Sequence, residues 1–221
     1  MAGRDPEERV LVPAMVQGWR DISFLHWRVD ADLVAGKLPK GVRPHLIDGS
    51  AWVSVTPFLV TVGPVSFPET NLRTYVVGPD GKDGIWFLAI EADAIVTTIG
   101  ARVMYGAPYV KADMSVDRAD GGFRYRSPRT RISVRPGEQI DDGARTDVDD
   151  LLTGQWRGYT RHLGRVLRTH VHHAPWPLHR AEVTELHQTL TDSVGLPPMG
   201  EPDLVHWSPG VVVRLSRPHV G

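Results

Sequence analysis

Residues 69–90 read Glu69-Thr70-Asn71-Leu72-Arg73-Thr74-Tyr75-Val76-Val77, then Gly78-Pro79-Asp80-Gly81-Lys82-Asp83-Gly84, then Ile85-Trp86-Phe87-Leu88-Ala89-Ile90. As a strand, the first run puts Glu69, Asn71, Arg73 and Tyr75 on one face and Thr70, Leu72, Thr74 and Val76 on the other. The middle run is dense in turn formers, and the last is continuously apolar, as in a strand buried on both faces. The three together read as a β-hairpin. A strand beside a doubly buried partner is poorly placed to offer a fully solvated face. The hairpin therefore strengthens the case for a covered cavity lined by the Glu69–Tyr75 face, with a solvated face or a structural Glu69–Arg73 ion pair as the plain alternatives.

Working outward, Trp19 to Val29 reads as an early strand, with Asp30 capping a short helix over 31–37 before Pro39. Gly49-Ser50 marks a turn. Residues 51–62 read as a strand in which Pro57 signals an edge or a bulge. Beyond the hairpin, Asp93 is placed to cap a helix reaching Tyr105, with Gly106 at its C-terminal end. Strands are expected over 109–116, 123–128 and 129–135, an acidic loop over 137–150 and a short helix over 151–159. A strand over 165–173 stops at Pro175-Trp176-Pro177. A strand or helix follows over 179–194, and a last strand over 205–215 is broken at Ser208-Pro209-Gly210. The sum is a mostly β (α+β) chain, largely antiparallel, with two or three helices. Residues 1–12 read as a flexible tail and 13–221 as a single domain.

The chain has 221 residues, 41% of them hydrophobic, and 7 tryptophans, enough for a sizeable core. A net charge of −1 gives no reason to expect nucleic acid or an anionic membrane as partner. With no cysteine, disulfides, thiolate metal sites and a cysteine nucleophile are excluded. No apolar run approaches the ~18 residues of a membrane span, and the polar N-terminus lacks a signal-peptide core. A cytoplasmic location is the expectation. The absence of GxSxG, GxxxxGK[ST] and GxGxxG patterns leaves serine hydrolase, P-loop and Rossmann readings without support, and no cofactor is expected.

Three constellations carry chemistry. On the Glu69–Tyr75 face, the Arg73 fork is suited to gripping a carboxylate with two parallel hydrogen bonds, and Glu69 is suited to act as a base or to hold Arg73. The second is Tyr109, Lys111 and Asp113, alternate residues of one strand. A neutral lysine amine attacks ketones and aldehydes, but a carboxylate two residues away raises its pKa and works against that role. The third is His170-Val171-His172-His173, where His170 and His172 share a strand face as two metal ligands would; the chain offers no complete metal motif. His26, beside Trp27, reads as a packed, hydrogen-bonded histidine.

The order of motifs is itself informative. Trp19 and Phe24-Leu25-His26-Trp27 precede Leu38-Pro39, the run Asp48-Gly49-Ser50-Ala51-Trp52-Val53-Ser54-Val55-Thr56-Pro57-Phe58, and Glu69–Val76. Gly84-Ile85-Trp86-Phe87, Pro108-Tyr109, Ala112-Asp113-Met114 and His173-Ala174-Pro175-Trp176 follow. In this succession the chain resembles the YqjF-like bacterial domain of unknown function, which is similar to the acetoacetate decarboxylase-like superfamily. The resemblance implies one domain whose strongly curved antiparallel sheet closes into a cone or barrel around a small-molecule cavity, with a few outer helices and homo-oligomeric assembly. The decarboxylases place a Schiff-base lysine and a second lysine directly after Gly-Phe-Pro. Here Gly106-Ala107-Pro108 is followed by Tyr109 and Val110, with Lys111 beyond.

Two functional readings stand open. One is lyase or decarboxylase-type chemistry on a small oxo acid, with Glu69 and Lys111 catalytic and Asn71, Arg73, Tyr75 and Tyr109 binding substrate. The other is a non-catalytic module for a small carboxylate. A metal-dependent enzyme using His170 and His172 is a third, weaker alternative.

Overall fold

The central hairpin forms as its sequence indicates. In a computed structural model describing residues 3–6, 8–94 and 106–220, β4 (Val65–Val77) and β5 (Asp83–Ala92) run antiparallel, with Arg73 opposite Phe87 and Tyr75 opposite Ile85. On its other edge β4 pairs with β3 (Ala51–Val62), which pairs with β1 (Met15–Val29). β1 in turn pairs with β13 (Leu204–Leu215). Beyond β5 lie β10 (Arg157–His162) and β11 (Arg165–His172). β11 meets β13 at Val171↔Leu215 and His172↔Arg214, and this contact closes a ring β11-β10-β5-β4-β3-β1-β13. β4 lies diametrically across that ring from β11 and β13.

From β13 the sheet branches outward through β12 (His179–Gln188), β9 (Thr130–Gln139), β8 (Gly122–Arg126) and β7 (Ser115–Ala119). β2 (Arg43–Pro44) adds to β4, β6 (Tyr109–Lys111) to β5, and β14 (His219–Val220) to β11. The β5–β10 and β5–β6 pairings are parallel, so the expected antiparallel sheet carries two exceptions, both on one edge of β5.

Strand alternation divides the molecule into an inside and an outside. Leu25, Val53, Val55 and Leu72 point outward and are sealed by Phe123, Ile132 and Val134 of the branch sheet. Phe24, His26, Ser54, Phe58, Glu69, Asn71 and Arg73 share the opposite, inward face, as their cross-strand partners require. The polar face of β4 therefore cannot reach solvent: Glu69, Asn71, Arg73 and Tyr75 are 6%, 4%, 5% and 0% exposed.

Local expectations hold where the chemistry is local. Asp30 caps α1 (Ala31–Ala35), accepting from the Asp32 amide. Pro57 lies where the β1–β3 register shifts, the bulge its missing N–H calls for. Other boundaries moved. The strand expected over 109–116 is split into β6 and β7, which join different parts of the sheet. The helix expected over 151–159 is α2 (Asp147–Thr153), started by a Thr146/Asp149 capping box, and residues 157–162 leave it to pair with β5. The segment 179–194 is β12 followed by α3 (Leu190–Ser193). β13 runs through its Ser-Pro-Gly, because Gly210, at φ 121°, lets the backbone pass against Trp19 where a Cβ would collide. The helix expected from Asp93 to Tyr105 lies outside the described residues. Near the N-terminus, the Gly3 carbonyl accepts from Trp156 Nε1, Arg4 pairs with Asp142, and Glu8 lies 3.6 Å from Arg157 and 3.4 Å from His170. Among the described residues no helix is long and apolar enough to cross a membrane.

Candidate functional site

The ring encloses a cavity of about 320 Å³. One wall is the inward face of β4, carrying Glu69, Asn71 and Arg73. Tyr109 reaches it from β6, whose parallel pairing with β5 sets Tyr109 beside Ile90, itself opposite Asn71. The Tyr109 hydroxyl donates to Glu69 Oε2 at 3.0 Å. Burial dominates the Glu69 carboxyl and pushes it up to about 7, against the opposing pull of hydrogen bonds from Tyr109 and Asn71. Glu69 thus exchanges its proton close to neutrality, where a general acid or base is most effective.

Arg73 carries a fixed charge on the same wall. One Nη donates to the Leu152 carbonyl at the end of α2 at 3.4 Å, and the guanidinium lies 5.3 Å from the Phe24 ring. Among the described residues no ion pair joins it to Glu69 or to another carboxylate, and its Nε has no hydrogen-bond partner. The Glu69–Arg73 pair is therefore not formed, and among the described residues no carboxylate lies in ion-pair contact with this buried cation.

Sequence reasoning did not single out His173. It lines the cavity just past the end of β11, with its ring 4.7 Å from Trp156 and 4.6 Å from Trp176. Its Nδ1 donates to the Ala174 carbonyl at 2.7 Å, which leaves Nε2 as an acceptor. Burial lowers its pKa to about 4, so the ring is neutral at neutral pH. The motif His173-Ala174-Pro175-Trp176 was the available signal, since Trp176 stacks on Trp19 at 6.3 Å and both line the cavity.

Two expected site residues stand elsewhere. Lys111 lies outside the cavity with its side chain 43% exposed; it bonds Asp113 and lies 3.7 Å from Asp93. These carboxylates raise its pKa, Asp113 most, which holds the amine protonated. Alternation alone would put Lys111 on the Tyr109 face; β6 ends at Lys111, and there its amine turns to the carboxylates of Asp93 and Asp113 instead of the cavity. Tyr75 is inward-facing but sealed behind the cavity wall. Its hydroxyl donates to the Leu152 carbonyl at 2.8 Å and lies 2.7 Å from Ser54 Oγ and 3.2 Å from His26 Nδ1.

Tyr75 ends a buried chain that sequence did not reveal. Asp149 accepts from His206 Nε2 at 2.8 Å, His26 Nε2 lies 3.2 Å from His206 Nδ1, and His26 Nδ1 lies 2.7 Å from Ser54 Oγ. Arg180 closes the outer end with a two-pronged grip on Asp149 at 2.7 and 3.0 Å. Burial alone would raise the Asp149 pKa, but bonds from His206, Arg180 and Thr146 hold it well below the usual carboxylate range. Burial lowers both histidines; the neighbouring His206 and Arg73 lower His26 further, while Asp149 opposes the shift at His206. His26 is thus the packed, satisfied histidine expected. Because α2 supplies both Asp149 and the Leu152 carbonyl, this chain fixes the helix end that holds Arg73.

His170 stacks on His219 at 5.0 Å, and among the described residues no group of three His, Asp or Glu side chains is placed to hold a metal ion.

Comparison with known proteins agrees with this architecture. The DUF2071 family model, described as an uncharacterized conserved protein, matches residues 16–212. The uncharacterized protein YqjF of Bacillus subtilis is 31% identical, the match covering 94% of each chain. Among solved structures, acetoacetate decarboxylase from Legionella pneumophila superposes with a TM-score of 0.64 at 13% identity, covering 98% of this chain and 92% of that one. The enduracididine biosynthesis enzyme MppR complexed with pyruvate gives 0.67 at 16%, covering 97% and 93%. An acetoacetate decarboxylase-like enzyme from Sphingomonas wittichii RW1 gives 0.61 at 14%, covering 100% of both. At these identities the likeness to solved structures is one of fold: a mostly β, ring-like curved sheet of the acetoacetate decarboxylase-like kind.

Proposed function

The chain belongs to the DUF2071 family, and we propose that its barrel is an oxo-acid pocket in which Arg73 binds the carboxylate and Glu69 moves a proton at the carbon beside the carbonyl. The observation that carries this reading is Arg73 itself. A guanidinium 5% exposed, with no carboxylate partner among the described residues, is a costly arrangement unless an anion occupies the space it faces. Asn71 and Tyr109 bond Glu69 and orient it, and its pKa of about 7 suits it to take up and return a proton at neutral pH. The fold neighbours support an oxo acid as ligand, since one is an acetoacetate decarboxylase and another holds pyruvate; fold likeness alone does not assign a reaction.

Among the described residues no lysine lines the cavity, and the exposed, ion-paired Lys111 is a poor nucleophile. The chemistry proposed is therefore proton transfer without an imine. The same observation favours the second reading, a carboxylate-binding module with no turnover.

Proton-NMR of oxo acids in heavy water tests both. The native protein is expected to accelerate exchange of the hydrogens beside the carbonyl and to be stabilised thermally by the acids. Glu69→Gln should keep the thermal shift and lose the exchange, while Arg73→Ala should lose both. Arg73-dependent stabilisation with no accelerated exchange would leave the binding module; no Arg73-dependent response to any acid would end both readings.

A further inference from the structure

We infer that the ligand of this pocket is a carboxylate with a bulky apolar body, aromatic or branched, instead of an acid the size of pyruvate. The inference rests on the reading of Arg73 as the carboxylate anchor and adds what the remainder of the cavity selects.

The first observation is the distribution of polarity around the ring. Glu69, Asn71 and Arg73 all come from β4. The strands directly across the barrel, β11 and β13, present Val171 and Leu215 to the cavity, with Thr169 as the polar exception, and Val171 and Leu215 are also paired at the closing seam. Met15 of β1, in register with Leu215, extends the same wall, and beside it Gln17 is occupied by the Trp19 indole, which donates to its Oε1. A ligand whose anionic group meets Arg73 therefore directs its other end at a mainly apolar wall.

Size is the second. About 320 Å³ corresponds to roughly ten water molecules at ~30 Å³ each. An acid the size of pyruvate displaces only a fraction of that volume and leaves the rest as water against apolar walls, where water finds few partners. Displacing such water with an apolar group gains affinity.

Shape is the third. Phe87, directly opposite Arg73 in the β4–β5 register, lines the cavity, and Gly158 on β10 leaves space beside it. A Cβ on Gly158 would stand 3.5 Å from the Phe87 ring, so any larger side chain there would fill that space. On the other flank Trp19 and Phe58 meet edge to face at 5.6 Å, and Trp176 stacks beyond Trp19. Flat aromatic walls on both flanks of a carboxylate anchor suit a ring or a branched chain.

Calorimetric titration of the full chain with pyruvate, 4-methyl-2-oxopentanoate and phenylpyruvate tests the inference without any variant. The two larger acids are expected to bind roughly tenfold or more tightly than pyruvate. Gly158→Val should erase that advantage while leaving pyruvate binding in place. Pyruvate binding as tightly as the larger acids, with all of them lost in Arg73→Ala, would overturn the size preference and leave the carboxylate anchor standing. Binding of phenylpyruvate that survives Arg73→Ala undiminished would overturn the anchor, and this inference with it.

Discussion

A carboxylic acid, a guanidinium and an imidazole share the barrel interior, and burial acts on the two titratable ones in opposite senses. Glu69 is driven towards its protonated form and His173 towards its neutral form, so both lose charge. Stability should record this. The folded pKa of Glu69, about 7, exceeds its ordinary 4.5, so the folded state binds more protons between these values. Its contribution is fully present below about 4.5 and is lost as pH rises through 7. His173, lowered to about 4, works the other way: its contribution is present above 6.5 and is lost as pH falls towards 4. Glu69→Gln isolates the first effect, since an amide oxygen still accepts from Tyr109. Relative to native protein, the variant should gain about 3 kcal/mol between pH 4 and pH 8, measured by urea unfolding at each pH. A constant difference across that range would show that the Glu69 pKa is not raised.

At the scale of elements, β4 and α2 make the site together. β4 supplies the polar face, and α2 holds it through the carbonyl of Leu152, which receives both Arg73 and Tyr75. Asp149 anchors the helix three ways, through the capping box with Thr146, the fork of Arg180 and the imidazole of His206. Removing it leaves Arg180 and His206 without their shared acceptor and takes away the reciprocal half of the capping box, the bond from the Thr146 amide. Asp149→Ala is expected to cost about 3–5 kcal/mol in denaturant unfolding. It should also weaken the Arg73-dependent thermal shift with oxo acids, because Arg73 loses the fixed carbonyl that positions it. A stability loss under 1 kcal/mol would show that the buried chain is incidental to α2 (about the value of an exposed ion pair).

The whole molecule is a ring closed at a narrow seam. β3, β4 and β1 pair along most of their lengths, whereas β11 and β13 meet over only two residue pairs, Val171↔Leu215 and His172↔Arg214; β5 and β10 also share two, but there Tyr159 and Trp86 are locked in a buried cluster. The barrel should therefore open there first, and native-state hydrogen exchange is expected to be faster at 212–216 and 171–173 than at 53–60 and 69–76. Uniform exchange across these segments would mean that the ring opens only by global unfolding. The seam also carries the apolar wall, so a bulky apolar ligand bridging it to β4 should slow exchange at 212–216 more than pyruvate does.

How much of this was legible in residues 1–221 depends on the range of the forces involved. Alternation, turn chemistry and capping act over a few residues. They sufficed for the hairpin over 69–90, for a short helix behind Asp30, for an edge or a bulge at Pro57 and for a single polar strand face carrying Glu69, Asn71 and Arg73. The ordered motifs carried the architecture. Local signals misplaced α2, because residues 157–162 are drawn into a parallel pairing with β5 that no nearby residue announces. Lys111 and Tyr75 sat on plausible faces, yet ring closure put one outside the wall and the other behind it. His173 and the Asp149–His206–His26 chain join positions far apart in sequence, up to 180 residues for the two histidines. The sequence by itself determined which side chains share a strand face, because that follows from a period of two. Only the tertiary structure decided which of those faces enclose a common volume, because closure brings together strands whose pairing depends on the whole chain.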